Sequence, residues 1–555
     1  MFKTIGAILT VSLTLAACGP DTTQDVSSKN ASDVMSEQSL LNHIKVLSSD
    51  EFGGRGPGTQ GEELTVNYLI DSFKGMGLEP ANGDSYVQQV PLISIEAART
   101  ASLNITDTKG EVTKLAYYEE QVVWTRQAKG SISMAESDMV FVGYGINAPE
   151  RSWNDYEGID VKGKTVVILV NDPGYATQDE NLFNGNAMTY YGRWTYKFDE
   201  AAKQGAAGAI IIHDTKPAAY PWTTVQSSWV GAKFDIERAD GGEHLAQMEG
   251  WITNDVAKSL FEKSGLDYQM LKEAAQKPGF KAVPMTLKAS STIDNTIKHM
   301  SSRNVAAMIK GSESPDEIFI YMAHWDHLGT GTEINGDGIY NGALDNASGT
   351  AGLLEMAKAF SSLVVKPKRS IVFIAVTAEE QGLLGSAYYA DHPLFPLNKT
   401  VAGLNMDGLN TYGQTRDITS VGYGNSELDS YMEKVAATYG RVIMPDPVPQ
   451  KGYFYRSDHF ELAKYGVPMF YPNSGLDHLE KGIAYGKEKE DYYVTHDYHQ
   501  PSDEIKEDWV MDGAIADLRA YYDLGMMVAD GDSWPAWAAS SEFKALRDAQ
   551  LAIKP

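Results

Sequence analysis

Hydrophobic residues along this chain recur at two spacings, and the two spacings predict helices and buried strands in alternation. Leucine and isoleucine recur every three or four residues between Glu37 and Leu47, which predicts an amphipathic helix there. The same patterns predict further helices at Leu64–Met76, Phe198–Gln204, Ser348–Phe360 and Gly382–Asp391, and buried strands at Val140–Gly145, Thr165–Val170, Ala209–Ile212, Ile318–Ala323, Ser370–Thr377 and Val401–Met406.

Strands that alternate with helices are typical of one architecture. They predict an α/β fold with a mostly parallel mixed sheet that is covered by helices on both faces. The Gly-rich segment Phe52–Glu63 (FGGRGPGTQGEE) is predicted to be a loop. The chain has 555 residues, more than one hydrophobic core usually serves, so more than one domain is expected.

Composition narrows the possible partners. Hydrophobic residues make up 43% and charged residues 22% of the chain, which is ordinary for a globular protein. The net charge is −27. Because phosphate binding requires basic surface, this charge argues against a nucleic-acid partner.

The single cysteine, Cys18, follows a short basic start and an apolar stretch from Ile5 to Ala17. That stretch is too short to span a bilayer. The string Leu-Ala-Ala-Cys resembles the lipobox of bacterial lipoproteins, which implies a signal peptide over residues 1–17 and a lipid on Cys18. An ordinary secretory signal with a chance cysteine is the alternative. Residues 18–36 are polar and are predicted to form a flexible tether. Gly19 follows the cysteine. The resemblance therefore implies that the lipid anchors the protein to the outer membrane of a Gram-negative bacterium.

Potential metal ligands stand at the ends of the predicted strands. His324 and Asp326 lie two apart after Ile318–Ala323, so His324 can bind a metal while Asp326 orients its ring. His327 is predicted to point elsewhere and is left out. A solvated strand end is the alternative interpretation.

Four carboxylates and one histidine extend this set. Asp345 precedes a predicted helix and can either bridge two cations or cap the helix. Glu379 and Glu380 follow a buried strand, so one can bind metal while the other reaches a water molecule. Asp407 and His499 are weak candidates when each is taken alone. Six other histidines are weaker candidates still: His213, His244, His299, His459, His478 and His496. Of these, His496 stays a possible ligand because it is close to His499 in the sequence.

Two family resemblances organise these candidates. The strings VFVGYGINAPERSWNDYEGIDVKGKTVVIL and GAAGAIII resemble a protease-associated domain, a small β-rich module. The ordered strings AHWDHLG, DNASG, TAEEQGLLGS, NMD and YHQPSDE resemble the zinc aminopeptidases with two co-catalytic metals, the superfamily of glutamate carboxypeptidase II and the transferrin receptor. The predicted domains are a peptidase domain in two parts, 37–122 and 301–555, which an inserted protease-associated domain, 123–300, interrupts.

The second resemblance implies a role for each residue. Two Zn²⁺ ions are implied, with His324 and Asp407 on one, Glu380 and His499 on the other, and Asp345 between them. Glu379 resembles the general base, Asp326 the carboxylate behind His324, and Tyr498 the phenol that stabilises the oxyanion. A cis peptide is implied at Asp345–Asn346.

The resemblance implies a metallo-exopeptidase that removes N-terminal residues from peptides. A carboxypeptidase or dipeptidase is the alternative, and it would need cations such as Arg303, Arg416 or Arg456 for a substrate carboxylate. A non-catalytic surface lipoprotein is the alternative of another class. The sequence leaves the oligomeric state open.

Overall fold

The computed structural model describes residues 31–552. The predicted signal peptide, Cys18 and most of the predicted tether lie outside these residues. The tether's last residues are described, and Ala31 and Met35 are buried in the main core. Within the described part of the chain, no helix has both the length and the hydrophobicity to span a bilayer.

The first half of the chain, up to β13, contains these strands and helices: β1 (Glu79–Pro80), β2 (Val87–Ala97), β3 (Ser102–Thr106), β4 (Val112–Leu115), β5 (Gln121–Trp124), β6 (Ser131–Phe141), β7 (Asn147–Ala148), β8 (Trp153–Asn154), β9 (Thr165–Leu169), β10 (Gly208–His213), β11 (Lys233–Ile236), β12 (Met248–Thr253) and β13 (Val283–Ile309), with α1 (Glu37–Leu47), α2 (Gln60–Gly75), α3 (Pro173–Thr177), α4 (Trp194–Lys203), α5 (Thr215–Ala218), α6 (Trp222–Ser228), α7 (Asn254–Lys263) and α8 (Tyr268–Ala274).

The second half contains these: β14 (Ser314–His324), β15 (Gly329–Ile334), β16 (Asp337–Tyr340), β17 (Arg369–Val376), β18 (Thr400–Asn405), β19 (Asp417–Val421), β20 (Val442–Pro445) and β21 (Met469–Asn473), with α9 (Gly349–Ser361), α10 (Leu384–Asp391), α11 (Leu428–Thr438), α12 (His459–Lys464), α13 (Gly482–His496), α14 (Asp512–Ala529) and α15 (Lys544–Ala552).

The main sheet is mixed and mostly parallel, as predicted. Its neighbouring strands are β13, β17, β14, β18, β21, β19 and β20, in that order. The pairs β17–β14, β14–β18 and β18–β21 at its centre are parallel. The apolar run of β14 is uninterrupted because its side chains pack into hydrophobic cores on both faces of the sheet. Phe319, Tyr321 and Ala323 join one core, while the residues between them join the core on the opposite face. Helices α1, α9 and α14 cover the first face, and α10 and α12 cover the second.

A second sheet lies mainly within the segment that was predicted to be inserted. Strands β12, β10, β9 and β6 run parallel in that order, and β6 then pairs with the start of β13. Strands β3 and β4 belong to the same sheet, and its core begins at Ala101. The predicted boundary at Val123 therefore lies within this core. Because β13 continues from the second sheet into the main sheet, the predicted boundary at Met300 lies within one strand.

Two local predictions need correction. Helix α2 begins at Gln60 inside the predicted loop, because the Thr59 side chain accepts a hydrogen bond from Gly61 N and caps the helix. Strand β6 ends at Phe141. The predicted continuation to Gly145 fails because Gly143 and Gly145 adopt positive φ angles, which turn the chain. The other predicted helices and strands are present within a few residues of their predicted bounds.

Candidate metal centre

The register of the main sheet brings the candidate ligands to one edge. In the parallel ladder His324 pairs with Val376, and Met322 pairs with Asn405. The segments that follow these strands therefore leave the sheet side by side. They carry Glu379, Glu380 and Asp407 to the position of His324, as expected for the carboxyl ends of parallel strands.

Two clusters of nitrogen and oxygen donors form at this edge. In the first, His324 Nε2 lies 3.1 Å from Asp407 Oδ1 and 3.3 Å from Asp345 Oδ1. In the second, His499 Nε2 lies 3.0 Å from Glu380 Oε2 and 3.3 Å from Asp345 Oδ2. The two oxygens of Asp345 thus face different clusters. The structure brings all five predicted ligands together, and Asp345 stands between the two groups.

These donors suit a metal ion. His324, Glu379 and Asp407 each place a donor atom within 4.8 Å of the others, and His327, Asp345 and Glu380 do the same. Imidazole and carboxylate without thiolate are ligands that zinc accepts. His499 Nε2 is buried and forms no hydrogen bond within residues 31–552. A cation at this position would satisfy it.

The buried charges show the same need for cations. Burial raises the pKa of Glu379 well above its usual range, and the carboxylates of Glu380 and Asp407 add to this although His324 opposes it. Burial alone would lower the pKa of His324, yet Glu379 and Asp407 raise it well above its ordinary value. Cations bound at this position would offset the buried negative charge.

The local backbone at Asp345 holds this residue in place. The Asp345–Asn346 peptide is cis, as the resemblance implied. Asp503 accepts hydrogen bonds from Leu344 N and Asp345 N at 2.9 and 3.0 Å. The Asn346 side chain accepts from Gly349 N and Gly408 N. Asp345 therefore does not cap α9, and its carboxylate is free to face the clusters.

Asp326 has a different contact from the one predicted. Its carboxylate lies 3.8 Å from His324 Nδ1, too far for a hydrogen bond. His324 Nδ1 instead lies 3.1 Å from the Asp326 main-chain oxygen. The Asp326 carboxylate accepts a hydrogen bond from Glu379 N at 3.1 Å. Asp326 thus orients His324 through its backbone and Glu379 through its side chain.

The prediction that His327 points elsewhere is wrong. Strand β14 ends at His324, so side chains no longer alternate between two faces beyond it. His327 is fully buried, and its Nδ1 lies 2.6 Å from Glu380 Oε1. The other weaker candidates lie outside both clusters: His459 packs against Phe454 and Tyr471, His478 accepts from two backbone amides of the turn before α13, and His496 stacks on Tyr492.

Two residues without a predicted role contact Asp407. Ser457 donates a hydrogen bond to Asp407 Oδ2 at 2.7 Å, and the Tyr471 hydroxyl lies 3.4 Å from the same oxygen. Ser457 belongs to RSDHF and Tyr471 to YGVPMFY. Both strings resemble the family, but sequence spacing does not indicate which side chain reaches the ligand.

A cavity of about 1800 Å³ opens from the metal centre towards the second sheet. Tyr498 lines it, 43% exposed, with its ring stacked on His499 at 3.8 Å between centroids. Trp194, Trp229 and Trp124 also line it, the last two stacked on each other. The segment that was predicted to be inserted therefore contributes to the same cavity as the metal centre.

The arginines of this region divide into paired and unpaired groups. Arg303 binds Glu62 and Glu63, and Arg416 binds Asp477. The cavity-lining side chains of Arg456 and Arg193 form no ion pair with a carboxylate of residues 31–552. Burial, together with the nearby Arg456, lowers the pKa of Arg193 from 12.5 to about 10.

The comparisons with known proteins agree with this geometry. Residues 304–522, which contain every predicted metal ligand, match the model of peptidase family M28. This part of the chain belongs to that family.

Curated relatives match over part of their length. A probable glutamate carboxypeptidase of Arabidopsis thaliana is 24% identical over 386 residues, which are 63% of this chain and 48% of that protein. An aminopeptidase of Mus musculus is 34% identical over 138 residues, 23% of this chain and 17% of that protein. A probable zinc metalloprotease of Pyricularia oryzae is 41% identical over 87 residues, 16% of this chain and 17% of that protein. The chain thus spans about half the length of the first relative and less of the others.

Two solved structures align with nearly the whole chain. An aminopeptidase from Aneurinibacillus sp. strain AM-1 has a TM-score of 0.48 at 18% identity, covering 91% of this chain and 97% of that one. A peptidase M28 precursor from Shewanella amazonensis has a TM-score of 0.40 at 20% identity, covering 92% and 98%.

Proposed function

We propose that this protein is a zinc-dependent exopeptidase, and specifically an aminopeptidase that removes N-terminal residues from peptides. The observation that carries the proposal is the arrangement of Asp345, whose two oxygens face two separate donor clusters. A single structural metal would not require a carboxylate shared in this way. The match of residues 304–522 to peptidase family M28 supports the same assignment.

In this proposal two zinc ions occupy the two clusters. His324 and Asp407 would hold one ion and Glu380 and His499 the other, with Asp345 between them. Zinc bound there would polarise the scissile carbonyl and lower the pKa of a water molecule.

Glu379 performs the proton transfers. Its carboxylate lies in the first cluster and lines the cavity, so it can accept the proton of an attacking water and return it to the leaving amine. Its backbone is held by the hydrogen bond to Asp326. The hydroxyl of Tyr498, which lines the same cavity beside His499, can donate to the oxyanion of the substrate.

The test of the general base is Glu379→Gln. Amide in place of carboxylate keeps the shape and loses the base, so kcat should fall about 10²–10⁴-fold while the zinc content stays at the wild-type value. Glu490→Gln is the matched control, since Glu490 lines the same cavity outside both clusters. Near-normal turnover by Glu379→Gln, with zinc bound, would refute the assignment.

The substrate class is tested with a panel on protein that starts at residue 19. It contains aminoacyl nitroanilides, their N-blocked forms, and dipeptides with free or amidated C-termini. An aminopeptidase cleaves only substrates with a free amine and loses activity to a chelator. Cleavage of N-blocked substrates would contradict the proposal.

A carboxypeptidase or dipeptidase is the second candidate, and one observation favours it. Arg456 and Arg193 line the cavity and have no carboxylate partner among residues 31–552, so either could bind the C-terminal carboxylate of a short peptide. In that case Arg456→Met raises KM for free C-termini and leaves amidated peptides unaffected. Equal effects on both would remove this candidate.

We also propose that a lipid on Cys18 anchors the protein to the outer membrane. The support is the Leu-Ala-Ala-Cys string and the residue that follows it. Cys18→Ser should abolish labelling with a fatty-acid probe and release the protein from the membrane fraction. Retention of both properties would contradict the anchor.

A further inference from the structure

His327 contacts the metal centre from a side that the proposed ligands do not use. Its Nδ1 lies 2.6 Å from Glu380 Oε1, whereas Glu380 Oε2 lies 3.0 Å from His499 Nε2. The two oxygens of Glu380 therefore face two different imidazoles. Of these two imidazoles, His499 lies 3.3 Å from the shared carboxylate of Asp345, whereas a ring nitrogen of His327 lies within 4.8 Å of it.

The surroundings of His327 hold its ring in one orientation. The ring packs edge to face against His499, with 5.7 Å between centroids. On another side it meets Gly342, where a β-carbon would lie 2.5 Å from the His327 ring. Glycine at this position therefore makes room for the imidazole.

The number of donors argues against His327 as a ligand itself. With His327 included, the second cluster would have four protein ligands in His327, His499, Glu380 and Asp345. A four-ligand set is typical of closed structural zinc sites, whereas catalytic sites keep one position open. A histidine that contacts the other oxygen of a ligating carboxylate has the position of an orienting partner.

His327 Nδ1 and Glu380 Oε1 lie 2.6 Å apart but not in hydrogen-bond geometry. We propose that His327 is a positioning residue, which in the metal-loaded protein donates a hydrogen bond from Nδ1 to Glu380 Oε1 and aligns the other oxygen for metal binding. The inference rests on the proposed function, because it assumes that Glu380 binds metal. Loss of such an orienting partner typically weakens metal binding about 10–100-fold. The effect should fall on the one ion that Glu380 and His499 hold.

Three substitutions test the geometry of this contact. Asparagine places its amide nitrogen where Nδ1 stands, glutamine places its amide near Nε2, and alanine removes the donor. We expect His327→Asn to bind both zinc ions nearly as the wild type does. His327→Gln and His327→Ala should lose about 10–100-fold in affinity for one ion. His213→Asn is the matched control, since His213 is also a buried histidine but lies in the second sheet.

Zinc affinity is measured by competition with a chromophoric chelator and zinc content by elemental analysis. Thermal unfolding of each metal-free variant, followed by circular dichroism, shows whether folding is retained. If His327→Ala does not fold, the difference in zinc affinity between the Asn and Gln variants still tests whether His327 is a positioning residue. Equal loss in Asn and Gln would make His327 a ligand, and no loss in either would remove its role. Failure of the proposed function is distinguishable, because wild-type protein would then show no zinc-dependent hydrolysis.

Discussion

Replacement of Arg55 by methionine should strongly destabilise the protein, although Arg55 lies outside the metal centre. Arg55 is fully buried and comes from the Gly-rich segment that was predicted to be a loop. Its guanidinium donates hydrogen bonds to the main-chain oxygens of Leu47, Trp325, Asn341 and Gly342 at 2.6–2.8 Å. Trp325 follows His324, and Gly342 precedes Asp345, so this one side chain joins two ligand-bearing segments.

The magnitude follows from these four bonds. Hydrogen bonds from a charged donor contribute about 1.5–3 kcal/mol each. Burial opposes them, since it lowers the pKa of Arg55 from 12.5 to about 10 even though Asp503 and Asp326 raise it, a cost of about 3 kcal/mol. The net loss in Arg55→Met is about 3–9 kcal/mol, which is a large part of the 5–15 kcal/mol typical of whole proteins.

The assay is denaturant unfolding of metal-free protein, with Arg55→Lys and Arg519→Met alongside. Lysine can satisfy some of the four oxygens and should be intermediate. Arg519 forms an exposed ion pair with Asp33 at 3.6 Å, so Arg519→Met should cost less than about 1 kcal/mol. If Arg55→Met unfolds within about 1 kcal/mol of wild type, the reasoning from the four bonds is refuted.

Two further predictions concern acid stability and catalysis. Burial lowers the pKa of His459 to about 3, so below pH 6.5 the unfolded chain binds a proton that the folded chain does not, and stability falls as the pH falls. Wild type should therefore lose about 2 kcal/mol more than His459→Gln between pH 7 and pH 5, measured by urea unfolding; equal losses would contradict the neutral buried ring. Tyr498→Phe should lower kcat about 10²–10³-fold with unchanged zinc content, and an effect on KM alone would exclude the oxyanion role.

Several features were accessible from the sequence because they depend on local patterns. The amphipathic helix Glu37–Leu47 has its predicted bounds, since its apolar stripe packs directly on the core. The central strands were predictable because strands buried on both faces are apolar throughout. The resemblance implied that His324, Asp345, Glu380, Asp407 and His499 meet, and the structure brings them together.

Other features required the three-dimensional structure. The contact of His327 with Glu380 arises where β14 ends and the alternation rule no longer applies. The predicted boundary at Met300 falls inside β13, a strand that pairs in both sheets.

The sequence by itself determined the alternation of strands and helices and the polar residues at the strand ends, because both are set by neighbours along the chain. Only the tertiary structure decided that Arg55 binds the oxygen of Gly342, 287 positions away, and that Trp124 of the second sheet lines the same cavity as the carboxylates of the metal centre. Such contacts join segments that are far apart in the sequence, and hydrophobic periodicity does not predict which distant segments touch. They are fixed by how the sheets and loops pack.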